Sequence, residues 1–229
     1  MGLRGPKPKG RVKIIWSSNF AYTIGLIASD GNLSPDGRHF TFKVTDLELV
    51  EHFVECLGLQ NIKIGTIKIP GKKVAYRVQF GDVIFYKFLL SIGLMPNKSR
   101  ILGKILIPEK FYFDFLRGEF DGDGSSNSYW DKRWRSSFLI YLNFTSGSIK
   151  FLEWIQETTK RLANVNGHIT SNKQIKKENT FYQLKYAKNE AVVLFDKMYY
   201  NKQVICLKRK KIKLQEAFEI NKKQQSKYK

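Results

Sequence analysis

Two aspartates stand out by their surroundings. Asp30 and Asp123 each follow an apolar stretch and each directly precedes a glycine. The flanking residues repeat: Thr-Ile-Gly-Leu-Ile-Ala-Ser-Asp-Gly at 23–31 and Leu-Arg-Gly-Glu-Phe-Asp-Gly-Asp-Gly at 116–124, the second copy lying 93 residues after the first. A glycine behind an apolar helix is punctuation, the usual left-handed residue that ends it. An aspartate there is unfavourable. The C-terminal end of a helix carries partial negative charge, so a carboxylate costs roughly 0.3–1 kcal/mol. A second carboxylate nearby adds repulsion. Hard divalent cations reverse both penalties, because they take carboxylate and carbonyl oxygens as ligands. Two carboxylates clamping metal ions serve in-line displacement at a phosphodiester. A calcium loop starting at Asp121 is excluded, because Ser126 and Lys132 stand where that loop requires Gly and Glu.

The elements around the aspartates must bring them together. Phe20–Ile27 and Phe111–Phe120 read as aromatic-rich helices. Gly25 and Ser29 lie four apart, as do Gly118 and Gly122. Small residues at that spacing share a helix face and allow close backbone approach. Packed along those faces, the helices would set Asp30 beside Asp123. In the first copy a Pro35-Asp36-Gly37 turn precedes an alternating strand at Phe40–Thr45. A helix over Leu47–Leu57, a hairpin of Ile62–Ile69 with Val74–Phe80, and a helix over Val83–Ile92 follow. The second copy repeats the order with Ser137–Phe144, Ile149–Leu162, His168–Asn172, Phe181–Ala187 and Ala191–Tyr199, and closes on a helix over Val204–Phe218. Each half therefore reads α-β-β-α-β-β-α. That is an α+β design, with four antiparallel strands per sheet and helices on one face.

A sheet covered on one side offers the other to water or a ligand. Alternation places Lys43, Arg77, Gln79, Asn143, Gln183 and Lys185 on that open face, with Lys43 and Asn143 in matching places. Lys132, Arg133 and Arg135 cluster in the connection before Ser137. These are donors suited to phosphates and base edges. The balance of the chain agrees: among 229 residues, 40 Lys and Arg face 20 Asp and Glu, a formal charge of +20. Residues 1–109 contribute +8 and residues 110–229 contribute +12, so both halves are basic. Such an excess points to a polyanionic partner, either nucleic acid or an anionic membrane surface. With 42% hydrophobic residues the chain folds instead of staying disordered. No apolar run approaches the roughly 20 residues of a membrane span. Two cysteines make neither a disulfide framework nor a zinc cluster, and a reducing intracellular setting is expected. Residues 1–16 are expected to form a flexible basic arm, 17–109 and 110–220 the two repeats, and 221–229 a fraying basic tail.

The paired motifs resemble the signature of the LAGLIDADG homing endonucleases in their single-chain, two-motif form. Leu116–Gly124 matches closely; the first copy has Ala28 where the family often has an acid. The resemblance implies two four-stranded antiparallel sheets forming a DNA-binding saddle about a pseudo-twofold axis. It implies a monomer that makes a staggered double-strand cut at a long target site. It also implies Mg²⁺ as cofactor, with Mn²⁺ substituting and Ca²⁺ supporting binding only. The metal-binding acids fall on Asp30 and Asp123, helped by the carbonyls of Ser29 and Gly122. Polar residues near the scissile phosphates fall on Asp46 and Ser146. Asp46 also reads as the N-cap of the helix from Leu47. The active-site lysine of the first half is Lys98; in the second half Lys208 and Lys210 compete, and Lys210 is the choice carried forward. The alternative is a non-cleaving nucleic-acid binder on the same scaffold, an RNA maturase or a transcriptional regulator.

Overall fold

The structure is a computed structural model that describes residues 10–134, 136–173 and 180–225. The first half runs α1 (Ser18–Asp30), β1 (Gly31–Leu33), β2 (His39–Val44), α2 (Leu47–Cys56), β3 (Gly65–Ile67), β4 (Ala75–Gly81) and α3 (Val83–Ser91). The second half runs α4 (Tyr112–Gly122), β5 (Ser125–Trp130), β6 (Phe138–Ser146), α5 (Ile149–Ala163), β7 (His168–Lys173), β8 (Thr180–Ala187), α6 (Lys188–Met198) and α7 (Lys208–Gln225). Each half forms one antiparallel sheet, ordered β1-β2-β4-β3 and β5-β6-β8-β7. The expected α+β architecture with two four-stranded sheets is thus present.

Local chemistry sets the ends of these elements. The Ser17 hydroxyl accepts the Phe20 amide and starts α1. Asp82 caps α3 by accepting the Phe85 amide at 2.9 Å. The other oxygen of Asp82 accepts the amides of Arg11 at 2.6 Å and Val12 at 3.0 Å. Val12 is buried and Trp16 packs edge-on against Phe20 and Phe88. The expected flexible arm is corrected over Gly10–Trp16, which is strapped to α3; Arg4, Lys7 and Lys9 lie outside the described residues. The tail is corrected likewise over residues 221–225, where α7 continues as helix. The last helix starts at Lys208, later than the expected Val204.

One apolar core runs through both halves, from Phe40, Phe42 and Phe53 to Phe144, Phe151 and Leu184. Its axis is the contact of α1 with α4. A Cβ on Gly25 would lie 2.2 Å from the Phe115 carbonyl, and one on Gly118 would lie 1.9 Å from the Tyr22 carbonyl. The two contacts are reciprocal, since Tyr22 and Phe115 each stand three residues before their glycine. The backbones therefore touch, as the spacing of Gly25, Ser29, Gly118 and Gly122 leads one to expect. Gly31 and Gly124 correct the sequence reading: neither has positive φ, and Gly31 sits at φ −73° and ψ 141°. They are glycines for space, because a Cβ would fall 2.7 Å from the Ile27 carbonyl or 2.4 Å from the Phe120 ring. The strand turns back tightly over its own helix.

Candidate functional site

Helices α1 and α4 end side by side, and their tips carry the aspartates. A Cβ on Gly122 would lie 3.1 Å from the Asp30 carboxylate, so each tip reaches its neighbour. Burial, and after it the charge of Asp123, pushes the Asp30 carboxyl up to about 6. Asp123 keeps its side chain open to solvent. The surrounding bulk of protein still raises its carboxyl above the usual range, against the pull of Lys98 and Lys210. Burial is thus the larger cost of placing carboxylates at these helix ends, and repulsion by Asp123 adds to it at Asp30.

Two lysines answer the exposed carbonyls at these ends. Lys98 Nζ, from a single turn at Lys98–Arg100, donates to the carbonyls of Ser29 at 3.3 Å and Gly31 at 2.6 Å. Lys210 Nζ, in the first turn of α7, lies within hydrogen-bond distance of four carbonyls, those of Phe120, Asp121 and Gly122 at 2.8 Å and that of Gly124 at 2.7 Å, and shares its three N–H donors among them. A cation at a helix C-terminus satisfies the last carbonyls and offsets the dipole. The two ammonium groups hold equivalent places. Lys208 points elsewhere, into a shallow hollow beside His52 and Cys206. Burial lowers the pKa of both lysines, that of Lys210 to about 8.

Sequence reasoning missed the acids that surround these lysines. Glu119 is 1% exposed, its Oε2 has no partner among the described residues, and burial holds its carboxyl well above the ordinary range. It lines a cleft of about 490 Å³ together with Ser29, Lys98, Asp123, Thr145 and Phe181. Asp121 accepts the Tyr22 hydroxyl at 2.9 Å and the Leu207 amide at 2.6 Å. It thereby fixes the start of α7 and sets Lys210 one turn onward. Arg117, fully buried, donates to Asp114 at 2.9 Å and to the carbonyls of Met198 and Ile205 at 2.7 and 2.9 Å. The signal was present in the spacing: Asp114 and Arg117 are three apart, the distance of a helical ion pair.

The oxygen-rich tips suit hard cations. The carboxylates of Asp30 and Asp123 converge, and the helix-end carbonyls already attract positive charge. The Ser29 and Gly122 carbonyls each accept from a lysine, which leaves one lone pair on each oxygen. Among the described residues no group of three or more His, Cys, Asp or Glu could hold a metal ion. Any ion would therefore rest on these two aspartates and on backbone oxygens.

The sheets open away from the helices. Lys43, Arg77 and Gln79 are exposed on one face of the first sheet, where Lys43 pairs with Arg77 and Thr41 with Gln79. Gln183 and Lys185 are half-buried on the matching face of the second, opposite Thr145 and Asn143. Register corrects the pairing of halves. Asn32 opposes Thr41, and its equivalent Ser125 opposes Asn143, so Asn143 corresponds to Thr41 and Thr145 to Lys43. Asn143 is also only 1% exposed, boxed in on the central strand by Ser125 and Lys185. It is not the open contact expected. By the same register Asp46 corresponds to Ser148, not Ser146. Asp46 occupies the N-cap position of α2, but its carboxylate makes no cap bond and pairs with Arg209 at 2.7 Å. Lys132 and Arg133 are exposed in the β5–β6 connection, where Arg133 folds back to Asp131. Arg135 lies outside the described residues.

No protein-family model matches the sequence, and no curated protein matches it either. Solved structures do. The homing endonuclease I-WcaI, bound to its DNA recognition sequence, is 19% identical, with 86% of each chain covered and a TM-score of 0.59. Mesophilic variants of the homing endonuclease I-DmoI are 16% identical over 80% of this chain and 96% of theirs, with a TM-score of 0.55. Other I-DmoI variants, solved with target DNA in the presence of Mn or Mg, reach a TM-score of 0.51. Full-length DUF199/WhiA from Thermatoga maritima is 14% identical over 91% of this chain and 69% of its own, with a TM-score of 0.52. Two four-stranded antiparallel sheets with helices packed on them match the LAGLIDADG fold of these neighbours.

Proposed function

We propose that the protein is a site-specific double-strand DNA endonuclease that works as a monomer with divalent metal ions, Mg²⁺ by preference. Mn²⁺ is expected to replace Mg²⁺, and Ca²⁺ to support binding alone. The observation that carries the reading is the convergence of Asp30 and Asp123 at abutting helix ends, beneath two sheets with basic faces. Asp30 and Asp123, with the carbonyls of Ser29 and Gly122, would hold hard cations there, which would supply Lewis-acid charge and a more acidic water for phosphodiester hydrolysis. The protein's own groups do the rest. Lys43, Arg77, Gln79, Gln183 and Lys185 grip the duplex, and Lys132 and Arg133 add charge at one end. Lys98 and Lys210 stand beside the place where negative charge would grow on phosphate oxygens. One lysine per half matches one cut per strand.

A second reading is a binder that does not cut. It is favoured by one observation: two ammonium groups already sit on the helix-end carbonyls and favour the charged form of both carboxyls, so part of the negative charge is offset without metal. One experiment separates the two. A supercoiled plasmid carrying a site selected from random DNA is incubated with the protein and Mg²⁺. Linear product from the wild type, lost by at least a thousandfold in Asp30→Asn and in Asp123→Asn with DNA binding retained, supports the nuclease. Binding without any strand scission by the wild type overturns it.

A further inference from the structure

The two sheets differ at the ends farthest from the aspartates. In the first sheet β1 stops after three residues, and the open face carries Asn32, Thr41, Lys43, Arg77 and Gln79 without a Tyr, Phe or Trp on β1, β2 or β4. In the second sheet β5 runs six residues and β6 nine. Their outer part puts Tyr129, Tyr141 and Leu139 on the same open face, Tyr129 opposite Leu139 and Asn127 opposite Tyr141. The two tyrosine rings stack with centroids 6.2 Å apart and planes 30° apart, and Tyr129 is 51% exposed. The hairpin is not loose. On its other side Phe138 and Ile140 pack with Ala217 and Phe218 of α7. Lys213 Nζ also donates to the Ser126 carbonyl at 2.6 Å.

Nothing in the core calls for rings at these positions, since the apolar residues of β6 that fill it are Phe138, Ile140, Leu142 and Phe144. Lys185 and Asn127 flank the rings on the same face, so the pad continues the surface assigned above to DNA. A major groove is lined by hydrogen-bonding edges, and its main apolar feature is the C5 methyl group of thymine.

We infer that Tyr129, Tyr141 and Leu139 form an apolar pad that reads thymine methyl groups in the outer part of one half-site. The inference rests on the DNA-binding reading and adds to it a base preference and a place. A strand rises about 3.4 Å per residue, close to the roughly 3.4 Å between base pairs of a duplex. Tyr129 therefore lies about four base pairs farther out than the pair beneath Ser125. The first half-site meets no aromatic ring on the open face of β1, β2 or β4; the apolar residues of that face, Ala75 and Ile67, pair at the edge of the sheet.

The test keeps the full chain intact and alters the DNA. Duplexes retained from a random pool in Ca²⁺ are sequenced, and the selected site is resynthesised with deoxyuridine for thymine, which removes the methyl and keeps the pairing. Each outer methyl removed from one half-site is expected to weaken binding about three- to fourfold, the worth of roughly 0.8 kcal/mol per buried carbon. The same exchange in the other half-site is expected to change binding less than about twofold. A Tyr129→Ser/Tyr141→Ser variant with unchanged thermal unfolding is expected to bind both duplexes alike. Equal binding of the two duplexes by the wild type overturns the inference, as do selected sites without thymine there or discrimination that survives in the variant. In each of those cases Mg²⁺-dependent cutting of the site still stands as evidence for the nuclease. A pool from which nothing is retained overturns the DNA reading and this one with it.

Discussion

The two halves repeat one order of elements but secure their helix tips differently. In the first half α1 is apolar where it is buried, with Ile24, Leu26 and Ala28, and Lys98 holds two carbonyls at its end. In the second half the equivalent positions are Arg117, Glu119 and Asp121, all buried, and Lys210 holds four carbonyls. The first tip is held by packing and one short turn. The second is wired by charge to the chain that leads into α7, through Arg117 to Met198 and Ile205 and through Asp121 to Leu207. What both retain is a glycine at the crossing, an acid at the end and a cation on the carbonyls. These are the parts that the proposed cation site uses, and the rest of each helix differs between the halves.

The sharpest test of equivalence is at the crossing. Gly25→Ala and Gly118→Ala each push a methyl into backbone and are expected to lower unfolding free energy by about 3 kcal/mol or more, to similar extents. Urea titration reads the loss. A cost under about 1 kcal/mol in either would break the reciprocal contact.

Next comes the electrostatic strain. Asp30 has its folded value raised to about 6 against an ordinary 3.8, so the folded state holds the proton longer and stability falls as pH rises between those values. Without metal, Asp30→Asn is therefore expected to be more stable than the wild type above pH 6, by about 1–3 kcal/mol. The gap should open from pH 4 to 6 and stay level beyond. Asp123→Asn should gain less. Thermal unfolding across pH measures both, and Mg²⁺ should raise the melting temperature of the wild type but not of Asp30→Asn. A wild type indifferent to Mg²⁺ would remove the case for a cation between the tips.

The lysines come third. Lys210→Met leaves four carbonyls without their donor and is expected to cost about 2–3 kcal/mol, against about 1–2 for Lys98→Met with two. Equal losses would show that bond number does not set the difference between halves. The smallest effect belongs to the bridge from Asp46 to Arg209, whose guanidinium is 59% exposed. A double-mutant cycle on Asp46→Ala and Arg209→Ala should give a coupling below about 1 kcal/mol.

The sequence carried the frame and part of the site. The repeat of Gly25, Asp30 and Gly31 located both tips, because close packing and paired acids leave few residue choices. Alternation put Arg77, Gln79 and Lys43 on the right face. The matching of halves failed beyond the motifs, since the longer β5–β6 hairpin shifts the register by two residues; Asn143 and Ser146 were misaligned for that reason. A shift of two keeps the face but changes the neighbour. Lys210 could not be separated from Lys208 without knowing that Asp121 anchors the start of α7. Glu119 escaped notice because an acid inside an apolar helix reads as surface until the neighbouring helix covers it. The partner of Asp46 lies 163 residues away, and no local pattern encodes it.

The crossing of α1 and α4 has a consequence for ancestry and engineering. A seam formed by main chain against main chain leaves few side chains to match across it, chiefly Tyr22 with Asp121 and Arg117. Halves from different parents that keep the glycine at the crossing and the tyrosine–aspartate bond beside it are expected to join without further redesign of the seam. Each half can then evolve its own preferences independently of its mate.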